Sequence, residues 1–370
     1  MTKANQELKA YARSKKVAYW QIAKAFNVHE NTFAKKLREE LPTEEKEKTM
    51  KIIDEIAEKE KGEHKVKKIK KIEHSKEWHE QRSKGIGGSD AGAILGFNPY
   101  KSAYTLWAEK TGKIDDEIPD NEAMRLGRDL EDYVAKRFCE ATGKKVKRSN
   151  FSYQSEEHPF MLANVDRLVV GEKAGLECKT TNMLTRTNYE AGDIPPSYYA
   201  QCQHYMAVTG LEKWYIAILV MNKGFYWYEI LRSDEEIKAL IDQEAEFWKC
   251  VENDVEPNID GSDSTSETIL KLHPKGKGDV IDLALDQEAE NLFKLKKQKK
   301  ELDEEIKKIE NRFKHDMGDA ETAFTKNGVF TFKNYISNRP DNMRLKKEYP
   351  EVYANILDHK ESRRFVAKER

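Results

Sequence analysis

The segment FMLANVDRLVVGEKAGLECKTTN, residues 160–182, constrains the fold more than any other part of the chain. Apolar runs of strand length lie on both sides of a GEKAG turn, which is the pattern of a β-hairpin and commits this region to a sheet. Yet Asp166 stands among apolar neighbours in the first run, and Glu177 and Lys179 flank Cys178 in the second. A charge in such a place is expensive to bury without a partner. Residues two apart on a strand share a face, so Glu177 and Lys179 point to one side and Cys178 to the other, toward the core. Pairing of the two strands brings Asp166 beside Glu177, and two carboxylates and an ammonium then converge at one sheet edge.

Carboxylates at short range raise each other's pKa unless a cation joins them. Mg²⁺ is the natural cation for an oxygen-rich site, and Mn²⁺ is accepted by the same ligands. The backbone carbonyl of Cys178 lies between the two side chains and is a further candidate ligand. Lys179 is placed to polarise or deprotonate a metal-bound water. Such a constellation suits hydrolysis of a phosphodiester, where the metal lowers the water pKa and screens charge on the phosphorane. The same three residues also fit a structural salt bridge on a solvated sheet face, because D…ExK is a short motif.

The surroundings add candidates. A helix over EAMRLGRDLEDYVAKRFCEATG carries an apolar face of Met124, Leu130, Val134 and Phe138, with Glu131 and Arg128 off that face. Glu131 either aims at the metal or pairs with Arg128. After the strands, PPSYYAQCQHYMAVTG places Gln201 and Tyr205 four apart, as stacked helical neighbours. The Gln201 amide suits a scissile phosphate or a water, with Tyr205 bracing it. Upstream, WHEQRSKGIGGSDAGAIL has glycines 85, 87 and 88 opening a helix, with Ser89 or Asp90 as its cap. The glycines allow the backbone to approach a ligand, and amides at a helix start bind phosphate. Arg82 just before the turn can clamp the same anion. An ordinary capped helix explains the same residues, and Asp90 competes with a phosphate there.

The chain has 370 residues, enough for two or three domains, and 38% hydrophobic content supports an ordinary core. Residues 1–62 read as a helix-turn-helix-like helical domain. Ile22, Ala23 and Phe26 form one face, Asn27 takes a left-handed turn, and Val28, Phe33 and Leu37 line the next helix. That second helix offers His29, Asn31, Thr32, Lys35 and Lys36 to DNA or to a protein. The stretch 63–74 is a strongly basic strand or linker, residues 75–256 alternate helices and strands, and 257–370 form a C-terminal extension. In that extension 257–269 read as a loop, followed by a long helix with the stripe Leu292, Leu295, Leu302, Ile306, Ile309 and Phe313, a strand pair, and a last helix over 342–357. Net charge is −1, but basic runs (64–74, 294–300) and an acidic run (115–122) are segregated, which permits a basic channel or merely solvated helix faces. The four cysteines show no CxxC spacing, so neither a disulfide framework nor a zinc or iron–sulfur site is signalled. No run is long enough to span a bilayer and no apolar leader opens the chain, so an intracellular protein is expected.

Taken in order, W-x-x-x-R-x-x-G-I-G-G-S-D-A, a helical glutamate, N-V-D, L-E-C-K-T and Q-C-Q-H-Y resemble the YqaJ-type viral recombinase family, which belongs with lambda-type exonucleases in the PD-(D/E)XK nuclease superfamily. The resemblance covers about residues 75–256, and LKKEYPEVYANI and ESRRF are similar to the tails of that family. It implies an α/β fold with a mixed central sheet flanked by helices. It further implies a magnesium-dependent exonuclease, with Mn²⁺ as substitute, that digests linear double-stranded DNA from 5′ ends and leaves 3′ single strands for an annealing protein. Asp166, Glu177 and Glu131 would bind the metal, Lys179 would activate water, Gln201 would support the phosphate, and Arg82 and Ser89 would hold a terminal 5′-phosphate. A homotrimeric ring, a phage or prophage origin and the cytoplasm of a bacterial host are implied as well. A site-directed endonuclease and a non-catalytic DNA-binding regulator are the competing readings. The complete Asp166, Glu177 and Lys179 set argues against the regulator, and a terminal-phosphate seat argues against the endonuclease.

Overall fold

The structure is a computed structural model that describes residues 4–15, 17, 19–61, 66–70, 76–115, 121–184, 187–358 and 362–368. Two compact units divide the chain, one ending at Leu272 and the other starting at His273.

The first unit opens with four helices, α1 (Gln6–Ser14), α2 (Tyr19–Ala25), α3 (Glu30–Lys36) and α4 (Thr43–Lys61). Leu8, Ile22, Phe33, Leu37 and Ile53 form their shared core. Asn27 turns the chain between α2 and α3 in left-handed geometry, at φ 55°, as its place between two apolar helical faces predicts. On α3 and its approach His29, Thr32, Lys35 and Lys36 are exposed, while the side chain of Asn31 lies outside those described. Lys36 is tied to Glu45 at 3.0 Å.

The next elements are β1 (Val66–Lys70), α5 (Lys76–Ser83), β2 (Ile86–Gly87), α6 (Gly88–Ile94), α7 (Ala103–Lys110), α8 (Glu122–Thr142), β3 (Val146–Arg148), β4 (Phe151–Ser155), β5 (Met161–Asn164), β6 (Arg167–Val169) and β7 (Ala174–Thr181). After them come α9 (Pro196–Thr209), β8 (Lys213–Val220), β9 (Gly224–Leu231), α10 (Asp234–Glu252) and α11 (Asp263–Leu272). A five-stranded mixed sheet has the order β3-β6-β7-β8-β9. Strands β7 and β8 are parallel, with α9 in the crossover, and the other pairs are antiparallel. Helices cover both faces of this sheet. Val134 and Phe138 of α8 pack on Leu176, Tyr215 and Ala217, whereas Cys202 and Met206 of α9 pack on Ile216 and Ile218. Met124, expected on the apolar face of α8, is exposed because the first turns of that helix project beyond the core.

A second, four-stranded sheet has the order β1-β4-β5-β2. The basic stretch 63–74 is therefore not a free linker throughout, since Val66–Lys70 pair with Phe151–Ser155. The segment 257–269 is likewise not all loop. Ser262 accepts from the Thr265 amide at 3.2 Å, which starts α11, and Thr265 and Thr268 bury their hydroxyls against Ser102 and Thr105 of the α7 region. A run rich in Ser and Thr resembles a loop in composition, but here each buried hydroxyl has a partner, which removes the penalty of burying it.

The second unit contains α12 (Asp286–Met317), β10 (Thr322–Thr325), β11 (Gly328–Thr331), α13 (Asn342–Glu348) and α14 (Pro350–Ile356). Phe313 of α12 stacks on Phe330 of the β10–β11 hairpin at 4.1 Å. The expected final helix over 342–357 is broken into two, because Pro350 has no amide to continue α13 and instead starts α14. Among the described residues no helix is long and apolar enough to cross a membrane.

Candidate active site

The site is built where β6 and β7 pair, with Arg167 opposite Leu176. Alternation along β7 sends Leu176 and Cys178 toward α8, and Glu177 and Lys179 toward α9. Asp166 precedes β6, and its Oδ2 accepts the Cys178 amide at 2.9 Å. Glu177 is 3% exposed. Its Oε1 takes Lys179 Nζ at 2.7 Å and Gln201 Nε2 at 2.8 Å. Gln201 also donates to the Tyr205 hydroxyl at 2.8 Å, and Tyr205 donates to the Asn164 carbonyl at 3.2 Å. Lys179 sits over the Tyr198 ring at 5.2 Å. Asp166, Glu177, Lys179 and Gln201 thus meet, and Gln201 acts here on the carboxylate.

Glu131 stands differently. It comes from α8, and its Oε1 is 2.5 Å from Arg167 Nη1. Arg167 is buried; its other nitrogen is 2.6 Å from Asp132, and Nη1 also donates to the Asp166 carbonyl at 2.8 Å. Among the described residues no three carboxylate, imidazole or thiol groups converge on one point as they stand. Arg167 thus engages Glu131, whose charge still acts on Asp166. Its position directly after Asp166 in an apolar strand is the signal that could have revealed it, since a buried guanidinium requires carboxylates nearby.

Two observations fit a divalent cation. Glu177 Oε2 is buried and has no hydrogen-bond partner, so one oxygen of an otherwise fixed carboxylate is unsatisfied. Burial raises the pKa of Asp166 well above the carboxylate range, and the negative charges of Glu177 and Glu131 raise it further, against the Cys178 amide and Lys179. A carboxylate held neutral beside other carboxylates would be favoured as an anion by an added cation. For Lys179, burial opposes the ammonium, but Glu177 and Asp166 outweigh it and raise its pKa, so Lys179 stands here as a cation. Asp166 and Glu177, with the Cys178 carbonyl between Glu177 and Lys179 in the chain, are the oxygen groups available to such a cation.

The glycine-rich turn is arranged less openly than its composition predicts. A Cβ on Gly85 would lie 2.6 Å from the Phe160 carbonyl, and one on Gly88 2.5 Å from Tyr205. Packing inside the protein, not a ligand, demands these two glycines. The Gly87 amide donates to Asp90 Oδ2 at 3.0 Å, so Asp90 competes with an anion at this helix start, as the sequence suggests. Burial works against the Asp90 charge, but Lys110 and Arg82, with the Gly87 amide, hold its carboxyl below the usual range. Lys110 reaches Asp90 at 3.0 Å and the Arg82 carbonyl at 2.8 Å. Arg82 is half-buried and Ser89 exposed, and these two are what the turn offers to an anion.

Below the site lies a buried pair absent from the sequence reading. His204 and Glu244 are both 0% exposed, with Nδ1 and Oε1 2.7 Å apart. His204 Nε2 is 2.9 Å from the Leu162 carbonyl. A carbonyl only accepts, so Nε2 carries a proton, and a second proton lies between Nδ1 and the carboxylate. A histidine between Gln203 and Tyr205 in α9 was its only signal.

A mixed α/β core with a carboxylate pair at the β6–β7 junction defines the class of protein. The YqaJ-like viral recombinase domain matches residues 77–212. Over 299 residues the chain is 42% identical to protein YqaJ of Bacillus subtilis (strain 168), covering 79% of this chain and 94% of that uncharacterized protein. The chain belongs to the YqaJ-like viral recombinase family. A further similarity, 53% over 38 residues, covers 10% of this chain and 11% of protein D345L of African swine fever virus. Among solved structures, the alkaline exonuclease LHK-Exo of Laribacter hongkongensis overlays with a TM-score of 0.41 and 21% identity, over 49% of this chain and 94% of that one. A phage-related exonuclease of Haemophilus somnus 129PT overlays with a TM-score of 0.37 and 13% identity, over 46% and 96%.

Proposed function

We propose that the chain is a magnesium-dependent exonuclease of linear double-stranded DNA, working 5′ to 3′ in phage-type recombination. The unsatisfied Glu177 Oε2 beside the charge-deficient Asp166 carries this reading. Asp166, Glu177 and the Cys178 carbonyl would hold Mg²⁺ or Mn²⁺, and Glu131 would join them on leaving Arg167. A bound divalent ion would supply a water of lowered pKa and charge for the phosphorane. Lys179, as an ammonium, orients the attacking water and stabilises negative charge on the phosphate. Gln201 keeps Glu177 in one rotamer, and Tyr205 keeps Gln201 in place. In this reading residues 75–256 are the nuclease domain, 1–62 a helical domain that meets DNA or protein, and 257–370 an extension. A cytoplasmic, phage or prophage enzyme that hands 3′ overhangs to an annealing protein, and a homotrimeric ring, follow from the family resemblance.

The test uses purified protein, a linear duplex labelled at either 5′ or 3′ ends, and a closed circle of the same sequence, with Mg²⁺ or EDTA. Early Mg²⁺-dependent release of the 5′ label with the circle intact is expected. Cutting of the circle would replace the proposal with an endonuclease, and inertness toward both would leave a DNA-binding regulator. Arg82 and Ser89 are assigned to the terminal phosphate. Arg82→Ala should slow digestion of 5′-phosphorylated ends by about ten- to a hundredfold, the worth of one or two charge-assisted hydrogen bonds. Ends bearing a 5′-hydroxyl should be affected little, and an equal loss on both would remove Arg82 from that role.

A further inference from the structure

Strand β1 is the outer strand of the four-stranded sheet among the described residues. Lys67, Lys68 and Lys70 are exposed along it, and no ion pair is described for any of them. Direct cross-strand partners share a face, so Lys68 lies opposite Tyr153 and Lys70 opposite Phe151 on the same side. Phe151 is 41% exposed. Tyr153 on this face is packed in the core, and beyond it, at the outer edge of the sheet, two lysines border the exposed Phe151 ring.

The strip ends close to the candidate metal centre. Strands β1 and β5 both run antiparallel to β4, so the Lys70 end of β1 lies at the Asn164 end of β5. Ile69 pairs with Ser152, and Ser152 pairs with Asn164, two residues before Asp166. Two strand spacings, about 10 Å, separate Ile69 from Asn164. Lysines alone on an outer strand are explained as a guard against unwanted strand pairing. An exposed phenylalanine directly opposite one of them works against such a guard. Duplex DNA would engage the lysines through phosphates but has no use for the ring, because its bases are stacked on each other. Single-stranded DNA uses both, with phosphates on the ammonium groups and a base on the ring.

We infer that Lys68, Lys70 and Phe151 form a binding strip for single-stranded DNA, placed to take the strand that the metal centre leaves intact. The inference rests on the exonuclease reading. Its test measures binding of fluorescent oligo(dT) and of a blunt duplex to the full chain in EDTA, over a series of salt concentrations. Relative to wild type, Lys68→Gln/Lys70→Gln should reduce the salt slope for oligo(dT) by about 1.4, from two lost phosphate contacts. Phe151→Ala should weaken oligo(dT) binding by about five- to a hundredfold, the range for one lost base stack. Blunt-duplex affinity should stay within about twofold. Equal losses on both DNAs would overturn the single-strand assignment in favour of a general phosphate surface. Unchanged binding of both would overturn the strip and leave the lysines as guards of the strand edge. A wild-type chain that binds neither DNA would remove the exonuclease reading and the strip together.

Discussion

Glu177→Gln should abolish Mg²⁺-dependent cleavage and leave DNA binding in place. The substitution keeps the size of the side chain and an oxygen for Gln201, but removes the charge that Oε2 presents to a cation. Loss of one carboxylate from a two-carboxylate donor set removes several kcal/mol of transition-state stabilisation, so the rate should fall by about a thousandfold or more. Binding of a linear duplex in EDTA should change by less than about threefold, because the substitution lies in a buried pocket and not on a phosphate-contacting surface. Normal cutting by this variant would place the metal centre elsewhere. Cutting lost together with binding would mark Glu177 as a structural residue.

The second large effect is on stability. His204→Ala should lower the unfolding free energy by about 3–5 kcal/mol, since it leaves Glu244 as an uncompensated buried acid and strips the Leu162 carbonyl of its donor. Denaturant unfolding reads this as a lower midpoint with an unchanged slope. His204→Ala/Glu244→Leu should recover part of the loss, because the orphaned carboxyl is gone. A single-variant loss below about 1 kcal/mol, or a double variant no better than the single, would show that the pair adds little. The pH dependence has a definite sign. Burial lowers the His204 pKa, but Glu244 and the Leu162 carbonyl outweigh it, so the folded value is raised above the ordinary histidine range. The stabilisation is therefore fully present below about pH 6.5 and is lost as pH rises through the folded value. The helix that carries His204 also carries Gln201, so the same variant loosens the support of Glu177.

Much of the site was legible because its parts are close in sequence. The β6–β7 hairpin, the shared face of Glu177 and Lys179, and the contact of Gln201 with Tyr205 follow from periods of two and about four residues. Asn27 was legible for the same reason, as a left-handed residue between two apolar helical faces. What escaped depends on chain segments far apart. Glu131 has a carboxylate with several cations in reach, and only the fold brings it Arg167, 36 residues away. The four-stranded sheet pairs Val66–Lys70 with a strand more than eighty residues later in the chain, and no local period announces such a partner. Glycines 85 and 88 show a further limit. Composition cannot distinguish a glycine that admits a ligand from one that admits a neighbouring side chain.

Gly88 has a consequence for how the enzyme would advance along DNA. Its backbone touches the Tyr205 ring so closely that no Cβ fits between them. Helix α6, which carries Ser89, and helix α9, which carries Gln201, are therefore packed directly against each other at this point. If a terminal phosphate rests at the first and the scissile bond at the second, the gap between them is a ruler. Each round would remove the same length of strand, and the size of the released product would be a property of this contact.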